Sequence, residues 1–257
     1  MGERVLRKTF TTLLGTLIFL LIWEIACRVF EVGEYLLPKP TDIAHELVAN
    51  AGFLLGHTMY TLAATVIGFA IAVLVGVLAA ICIVHSPLVE RTLFTGLVAF
   101  NSIPKIAIAP LFIIWVGTDI ESKVLMAFLI AVFPIVVDSV LGLRSVDPAQ
   151  LDMVRTYRAT GSEIFWKIRF PNALPSIFAG MKVGITLALI GTIVGEFVGS
   201  SNGLAFVIMQ AQGTYQTSLV FAAIAILSVM GVVLFGLIDM ADRRFLPWHV
   251  SNRGTRK

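Results

Sequence analysis

The sequence contains little charge and few cysteines. Only 14% of its 257 residues are Asp, Glu, Lys or Arg, whereas soluble domains have about 25%. The two cysteines, Cys27 and Cys82, lie in separate apolar stretches and cannot form the disulfide framework of a small secreted protein. These shortages exclude a disordered chain and a disulfide scaffold, and they argue against an ordinary cytosolic enzyme.

Motifs for catalysis and for nucleotide binding are also missing. The sequence has no Gly-x4-Gly-Lys-Ser/Thr loop to hold ATP phosphates, no His-Glu-x-x-His, no Cys/His cluster and no nucleophile motif. We therefore expect no catalytic residues, no metal ligands and no cofactor bound by this chain. A process driven by ATP would need the ATP site on another polypeptide.

Apolar residues dominate instead, at 58% of the chain. They form six runs of about 20 residues, the length that crosses the hydrocarbon core of a membrane. We predict an all-α fold with six transmembrane helices at 11–29 and at about 58–84, 94–117, 122–143, 176–198 and 218–240. A cleaved signal peptide is the alternative for the first run, but the run is long for one and no small-x-small cleavage site follows it.

The distribution of Lys and Arg predicts the orientation. Basic residues concentrate before the first run, in 144–175 and in the tail, whereas the opposite side holds only Arg28, Lys39 and Lys123. Because loops on the cytoplasmic side of a membrane are enriched in Lys and Arg, both termini are predicted to be cytoplasmic. The N-terminal helix then covers 1–29, an outer connector 30–56, the transmembrane core 57–240 and a cytoplasmic tail 241–257.

The outer connector contains a predicted amphipathic helix. Two prolines, Pro38 and Pro40, give an extended entry. Thr41 is a suitable N-cap, and Asp42 lies near the positive end of the helix dipole. Apolar residues then recur at helical spacing from Ile43 to Leu55, which predicts a short helix along the outer surface.

The loop at 144–175 is basic and amphipathic. Asp147-Pro148 begins a helix in which Leu151, Val154 and Tyr157 fall on one side, and Gly161 ends it. A second segment, 162–170, mixes apolar and charged residues before Pro171. Two interpretations fit this loop: it docks into a cytoplasmic partner, or it lies on the membrane surface beside lipid headgroups.

This loop resembles the cytoplasmic signature of binding-protein-dependent ABC importer permeases. The signature reads Glu-Ala-Ala, three residues, Gly, nine residues and Ile-x-Leu-Pro. The chain has Asp152-Met153-Val154, Arg158 at the glycine position and Ile168-Arg169-Phe170-Pro171 at the end. Since Arg158 is less suited than glycine to a left-handed turn, Gly161 is the candidate to form it.

Other stretches resemble the nitrate/sulfonate/taurine branch of that family. They cover most of the chain between residues 35 and 250 and occur in the family's order. These stretches are Leu36-Leu37-Pro38-Lys39-Pro40, His57-Thr58-Met59-Tyr60-Thr61-Leu62, Ser102-Ile103-Pro104-Lys105-Ile106-Ala107, Pro110-Leu111 with Trp115-Val116-Gly117, Gly195-Glu196-Phe197 with Gly203-Leu204, and Arg243-Arg244-Phe245-Leu246-Pro247-Trp248.

The resemblance implies a type I importer permease of the MetI-like fold in the bacterial cytoplasmic (inner) membrane. Its implied partners are a second copy of the permease, a cytoplasmic ABC ATPase dimer that holds ATP and Mg, an extracytoplasmic substrate-binding protein and the lipid bilayer. Residues 152–166 would couple ATP hydrolysis to alternating access. The implied coupling residues are Asp152, Met153, Val154, Arg155, Tyr157, Arg158, Gly161, Ser162, Glu163, Ile168 and Pro171. The implied solute is a sulfonate, taurine, nitrate, a thiamine precursor or a similar small molecule.

Polar residues within the apolar runs are candidates for the translocation path or gate, because ionisable groups are costly in lipid. These candidates are Asn101, Ser102, Pro104, Lys105 and Glu196, and the two prolines of the third run, Pro104 and Pro110, predict a break there. Asp138 and Lys182 are predicted near the inner interface, where a structural role is favoured.

Small residues recur every four positions in two runs, as at Gly68, Ala72, Gly76 and Ala80, and at Gly180, Gly184 and Ala188. Such faces allow helices to approach closely, either within one subunit or between two copies. A secondary transporter and a membrane scaffold without a path are the alternative functions, but the inverted repeat of a secondary transporter is not visible.

Overall fold

The computed structural model describes residues 2–247, and all regular structure in that range is helical. The α-helices are α1 (Gly2–Val29), α2 (Pro40–Ala49), α3 (Ala51–His85), α4 (Pro87–Val89), α5 (Thr95–Asn101), α6 (Ala109–Val116), α7 (Ile120–Arg144), α8 (Pro148–Thr156), α9 (Gly161–Ile164), α10 (Phe170–Gly199), α11 (Leu204–Gly213) and α12 (Thr217–Phe245). Short π-helical turns at Glu90–Phe94 and Phe165–Arg169, and a 3₁₀ turn at Lys105–Ile108, adjoin them. The predicted all-α fold is confirmed.

Within residues 2–247, four helices are long and apolar enough to cross a membrane. They are Ala51–His85, Ile120–Arg144, Thr217–Phe245 and Gly161–Gly199, which combines α9, the second π turn and α10. The predicted third span is broken: Glu90–Asn101 and Lys105–Val116 meet at an angle of 89° and would count as a fifth span if taken together. The break occurs at Pro104, as the prolines predicted.

The first predicted span lies within α1, which is helical over Gly2–Val29 but is not among these candidates. A sixth span therefore stays a prediction. The tail beyond residue 247 and the side chains of residues 1–13, which include predicted cytoplasmic basic residues, lie outside the described part of the chain.

The outer connector differs from the prediction at both ends of its helix. α2 begins at Pro40, so Lys39 occupies the N-cap position, because proline suits the first helical turn. Thr41 is not the cap: its amide and hydroxyl donate to the Glu24 carboxylate at 3.2 and 3.1 Å. Leu54 and Leu55, expected in the connector helix, already belong to α3.

Helices α3, α7 and α10 form the centre of the bundle. The small-residue faces of α3 and α10 lie in the contacts among these three helices. Their residues are all buried: Gly68, Ala72, Gly76, Ala80, Gly180, Gly184, Ala188, Gly191 and Gly195. A Cβ atom on Gly191 would lie 2.6 Å from the carbonyl oxygen of Met126, so a larger residue would separate α7 from α10. Both faces therefore serve packing within the chain, one of the two readings left open above.

Following the predicted orientation, we call the end of the bundle that carries residues 144–175 the inner end, and the end that carries Glu196 and α11 the outer end. α10 runs between the two ends. Together with α9 it forms a helix of 39 residues, about 58 Å long, whereas the hydrocarbon core is about 30 Å thick. This helix is therefore longer than one crossing of the membrane requires.

Candidate functional site

The inner-end loop begins with a capped helix. The carboxylate of Asp147 accepts a hydrogen bond from the Ala149 amide at 2.9 Å, and Pro148 occupies the first turn of α8. This arrangement satisfies one of the free amides at a helix N-terminus. Asp152 and Arg155 form an exposed ion pair at 3.2 Å one turn later. The helix predicted from Asp147-Pro148 is thus present.

Arg158 itself forms the turn that ends this helix. Its φ is +59°, in the left-handed region, whereas Gly161 is the first residue of α9 and has no positive φ. The Arg158 amide donates to the Arg155 carbonyl at 2.9 Å, and the Ala159 amide donates to the Val154 carbonyl at 3.2 Å. The expectation that Gly161 would make the turn is wrong, because a helix C-terminus closes best on a left-handed residue directly after it.

Thr160 and Glu163 start the second segment with a capping box. The Thr160 amide and hydroxyl donate to the Glu163 carboxylate at 3.0 and 2.9 Å, and the Glu163 amide donates back to the Thr160 hydroxyl at 3.3 Å. These bonds fix the start of α9, and Lys167 lies 3.3 Å from the same carboxylate. Ser162, beside it, is exposed.

The loop directs three large apolar side chains outward. Met153, Tyr157 and Trp166 are 58%, 80% and 59% exposed. Tyr157 was expected on the same side as Leu151 and Val154, but those two are half-buried while Tyr157 lies beyond the last helical residue of α8. The turn at Arg158 explains this difference, because helical periodicity no longer applies after Thr156.

Phe165 anchors the loop to the bundle. It is buried, and its ring lies 5.1 Å from the His85 ring and 6.1 Å from the Phe170 ring. Ile168 and Pro171 are half-buried beside it, so the end of the signature lies at the base of the loop. Sequence reasoning placed Phe165 in an apolar set but did not single out its role.

At the break in the third span, Lys105 turns back on the preceding helix. Its ammonium donates to the Asn101 side-chain oxygen and lies 5.8 Å from the centre of the Phe133 ring. Asn101 and Lys105 are half-buried, whereas Ser102 and Pro104 are exposed. These four predicted path residues thus lie together at the break between α5 and α6.

Glu196, the fifth path candidate, lies far from that break in sequence and is fully enclosed, at 1% exposure. Its carboxylate accepts from the Thr61 hydroxyl at 2.7 Å and from the Ala205 amide at 2.9 Å. One turn deeper, the hydroxyls of Thr65 and Thr192 are bonded at 3.0 Å. Glu196 therefore connects α10 to α3 and to α11, and its place in a path or gate stays a prediction.

Lys123, which the distribution of basic residues placed on the outer side, is buried. It is 0% exposed, and its ammonium donates to the Gly199 carbonyl at 2.7 Å and to the Ser122 hydroxyl at 3.2 Å. It thereby satisfies a carbonyl at the C-terminus of α10, a favourable place for a cation.

Lys182 joins α10 to α12 near the inner end. Its ammonium lies 2.7 Å from the Asp239 carboxylate and 2.6 Å from that of Asp242, and Arg243 lies 2.8 Å from Asp239. This pairing agrees with the structural role expected for Lys182. Asp138 is half-buried in α7 against Gly180 of α10.

Comparison with known proteins identifies the family. The model of the binding-protein-dependent transport system inner membrane component matches residues 72–247. The chain belongs to this family. Two relatives are the formylaminopyrimidine transport permease protein ThiX of Halalkalibacterium halodurans, 34% identical over 95% of this chain and 98% of that protein, and the aliphatic sulfonates transport permease protein SsuC of Bacillus subtilis, a putative assignment, 31% identical over 96% and 92%.

Solved structures confirm the type I permease fold. A chain of the inward-facing MetNI methionine ABC transporter aligns with a TM-score of 0.66 at 19% identity. The alignment covers 74% of the chain described here and 95% of the MetNI chain. The predicted ABC importer permease is therefore confirmed, and its relatives are transport permease subunits. The family implies a binding protein and an ATPase as partners of this multi-pass membrane protein.

Proposed function

We propose that the permease pairs with a second copy of itself in the bacterial cytoplasmic membrane and that residues 152–166 dock into a cleft of a cytoplasmic ATPase subunit. ATP and Mg are held by that partner, and hydrolysis there moves the loop and alternates access across the membrane. Asp152, Arg155, Glu163 and the turn at Arg158 shape the loop, whereas the exposed apolar side chains make the contact.

The observation that supports this proposal is the outward set Met153, Tyr157 and Trp166. Large apolar side chains at this exposure favour burial against a partner. The two helices of the loop, α8 and α9, both begin with a capped N-terminus, at Asp147 and Thr160. A helix lying on lipid headgroups would use the same side chains, so the experiment must separate the two.

Replacing Tyr157 with Ala is expected to weaken capture of the ATPase subunit by the detergent-solubilised permease by about tenfold or more, because a central aromatic contact is typically worth at least 2 kcal/mol. The measurement is pull-down or surface binding with the purified ATPase. Tyr215→Ala is the matched control, since Tyr215 is 83% exposed at the outer end.

Equal binding by the Tyr157→Ala and parent proteins would contradict docking through this surface. Reduced binding to anionic lipid vesicles with unchanged ATPase capture would instead support the membrane-surface interpretation. Uptake that survives deletion of residues 152–166 would favour a scaffold over a permease that couples through this loop.

We further propose that the solute is small and water-soluble and reaches the outer end on a binding protein. The ThiX relative suggests an aminopyrimidine-like heterocycle, and the SsuC relative suggests a sulfonate. Because selectivity would rest largely with the binding protein, a thermal-shift assay of the cognate binding protein against both classes tests the choice.

A further inference from the structure

The outer-end network ties one short helix to two spans. Glu196 of α10 accepts from the Ala205 amide, and Thr61 of α3 accepts from the Leu204 amide at 2.9 Å. The Gly203 amide donates to the His57 ring nitrogen at 3.0 Å. Three successive amides at the start of α11 thus bond to side chains of α3 and α10. A helix N-terminus held in this way cannot shift without breaking buried hydrogen bonds.

Gly203, just before α11, packs directly against the Glu196 side chain of α10. Its φ is +102°, and a Cβ atom there would lie 2.2 Å from the carboxyl carbon of Glu196. The carboxylate therefore occupies the space that a side chain at this position would need. Gly195-Glu196-Phe197 and Gly203-Leu204, separate motifs in the sequence, meet in one buried contact.

α11 is the element that this contact controls. It has 10 residues, too few to cross a membrane, and it lies between α10 and α12 with Met209 and Gln210 exposed. The inner end of α10 is joined to the loop, because the same helix begins at Gly161. One continuous helix therefore joins the loop to Glu196.

We infer that Glu196 is a positioning residue of the transport cycle, which holds the start of α11 between α10 and α3, so that α11 responds when these two spans move relative to each other at the outer end. The inference rests on the proposed function, because that movement would come from the ATPase. Glu196 touches no solute in this role. It acts through the amides of α11, and its carboxylate geometry matters more than its charge.

Three variants separate this role from general packing. Glu196→Ala removes both hydrogen bonds. Glu196→Gln can keep both, because its oxygen can accept from Ala205 while its amide donates to the Thr61 hydroxyl. Thr192→Val removes the bond to Thr65, which joins the same two spans one turn deeper and bonds to no α11 residue in the described chain.

The first measurement uses the permease alone in nanodiscs, followed by hydrogen–deuterium exchange. Glu196→Ala is expected to speed amide exchange in residues 203–213 about tenfold or more, from the loss of buried bonds, while the exchange of α3 and α7 stays unchanged. Glu196→Gln and Thr192→Val should match the parent in this segment. Faster exchange throughout the bundle would show a general structural role and overturn the inference.

The second measurement uses the complex with its ATPase and binding protein in proteoliposomes. Cys27 and Cys82 are replaced by Ala, and Gln210→Cys is labelled with a membrane-impermeant maleimide, with and without ATP and vanadate. In the parent complex, the rate of labelling should differ between the samples with and without ATP and vanadate. Glu196→Ala should still hydrolyse ATP but label at one rate in both conditions, and Glu196→Gln should restore the difference.

An unchanged nucleotide-dependent difference in Glu196→Ala would overturn the inference. A parent complex without ATP hydrolysis would contradict the proposed function instead, and the exchange experiment on the permease alone would still report whether Glu196 holds α11. The two failures are therefore distinguishable.

Discussion

The two ends of the helix bundle use polar residues in different ways. At the outer end Glu196, Lys123 and Thr61 are enclosed almost completely, and they bond mainly to backbone amides and carbonyls. At the inner end Lys182 is paired with two aspartates whose side chains are 28% and 12% exposed, and the loop beyond them is largely open.

The difference shows which end is built for fixed contacts and which for exchangeable ones. A buried group that loses its partner incurs the full desolvation cost, about 3–5 kcal/mol for an ion pair. Exposed pairs contribute about 0–1 kcal/mol. The outer end should therefore tolerate little change, whereas the inner end can be altered at lower cost and can offer its surface to a partner.

Gly203→Ala should have the largest effect. The added methyl group would clash with Glu196 and require a left-handed backbone, which we expect to lower the free energy of unfolding by about 3 kcal/mol. The measurement is thermal or SDS-induced unfolding of the purified permease. Gly213→Ala is the matched control at the other end of α11, because nothing lies within 4 Å of its added methyl group. Equal stability of both variants would remove the proposed contrast.

Lys182→Met should have an intermediate effect. It removes the cation paired with Asp242 and leaves Asp239 with only its pair to Arg243, and we expect a loss of about 1–2 kcal/mol in the free energy of unfolding. Raising the salt concentration to 1 M should narrow the difference from the parent, because partly exposed charges are screened. Lys167→Met, whose partner Glu163 is also exposed, should change stability by less than about 0.5 kcal/mol. If Lys182→Met lost as much stability as Gly203→Ala, the contrast between the two ends would be contradicted.

Arg158→Gly should have the smallest effect and the opposite sign. Glycine relieves a left-handed strain of about 1–2 kcal/mol but adds about 0.5–1 kcal/mol of chain entropy to the unfolded state, so a gain of roughly 0.5 kcal/mol is expected. Ala159→Gly, one residue later and without a positive φ, should lose stability instead. A destabilised Arg158→Gly variant would mean that the arginine side chain contributes more than its backbone costs.

Local patterns in the sequence predicted much of this molecule for clear physical reasons. The apolar runs predicted the long helices, because a helix needs about 20 apolar residues to cross the hydrocarbon core of a membrane. Pro104 gave the break in the third span, and Asp147-Pro148 gave the start of α8. The signature in the loop identified the family through the spacing of Asp152, Arg158 and Pro171.

Predictions that depended on neighbours across the chain were less successful. Thr41 is a good N-cap by type, yet it bonds to Glu24, which lies 17 residues earlier. Lys123 was assigned only to the outer side, and its burial beside the C-terminus of α10 could not be predicted from the sequence. Arg158, rather than Gly161, has the left-handed backbone angle. The position of this angle is set by where α8 ends and not by the residue type that prefers it.

Low charge and apolar runs of about 20 residues by themselves determined that this protein is a helical membrane protein, since such runs suit helices that cross a membrane. Its role as a permease was predicted from the resemblance of the loop and of the other stretches to a known family. Only the tertiary structure decided which polar residues share a site. Glu196, Thr61 and Gly203 are separated by up to 142 positions in sequence, and their contact exists because the small residues of α3, α7 and α10 allow these helices to approach closely enough to enclose a carboxylate.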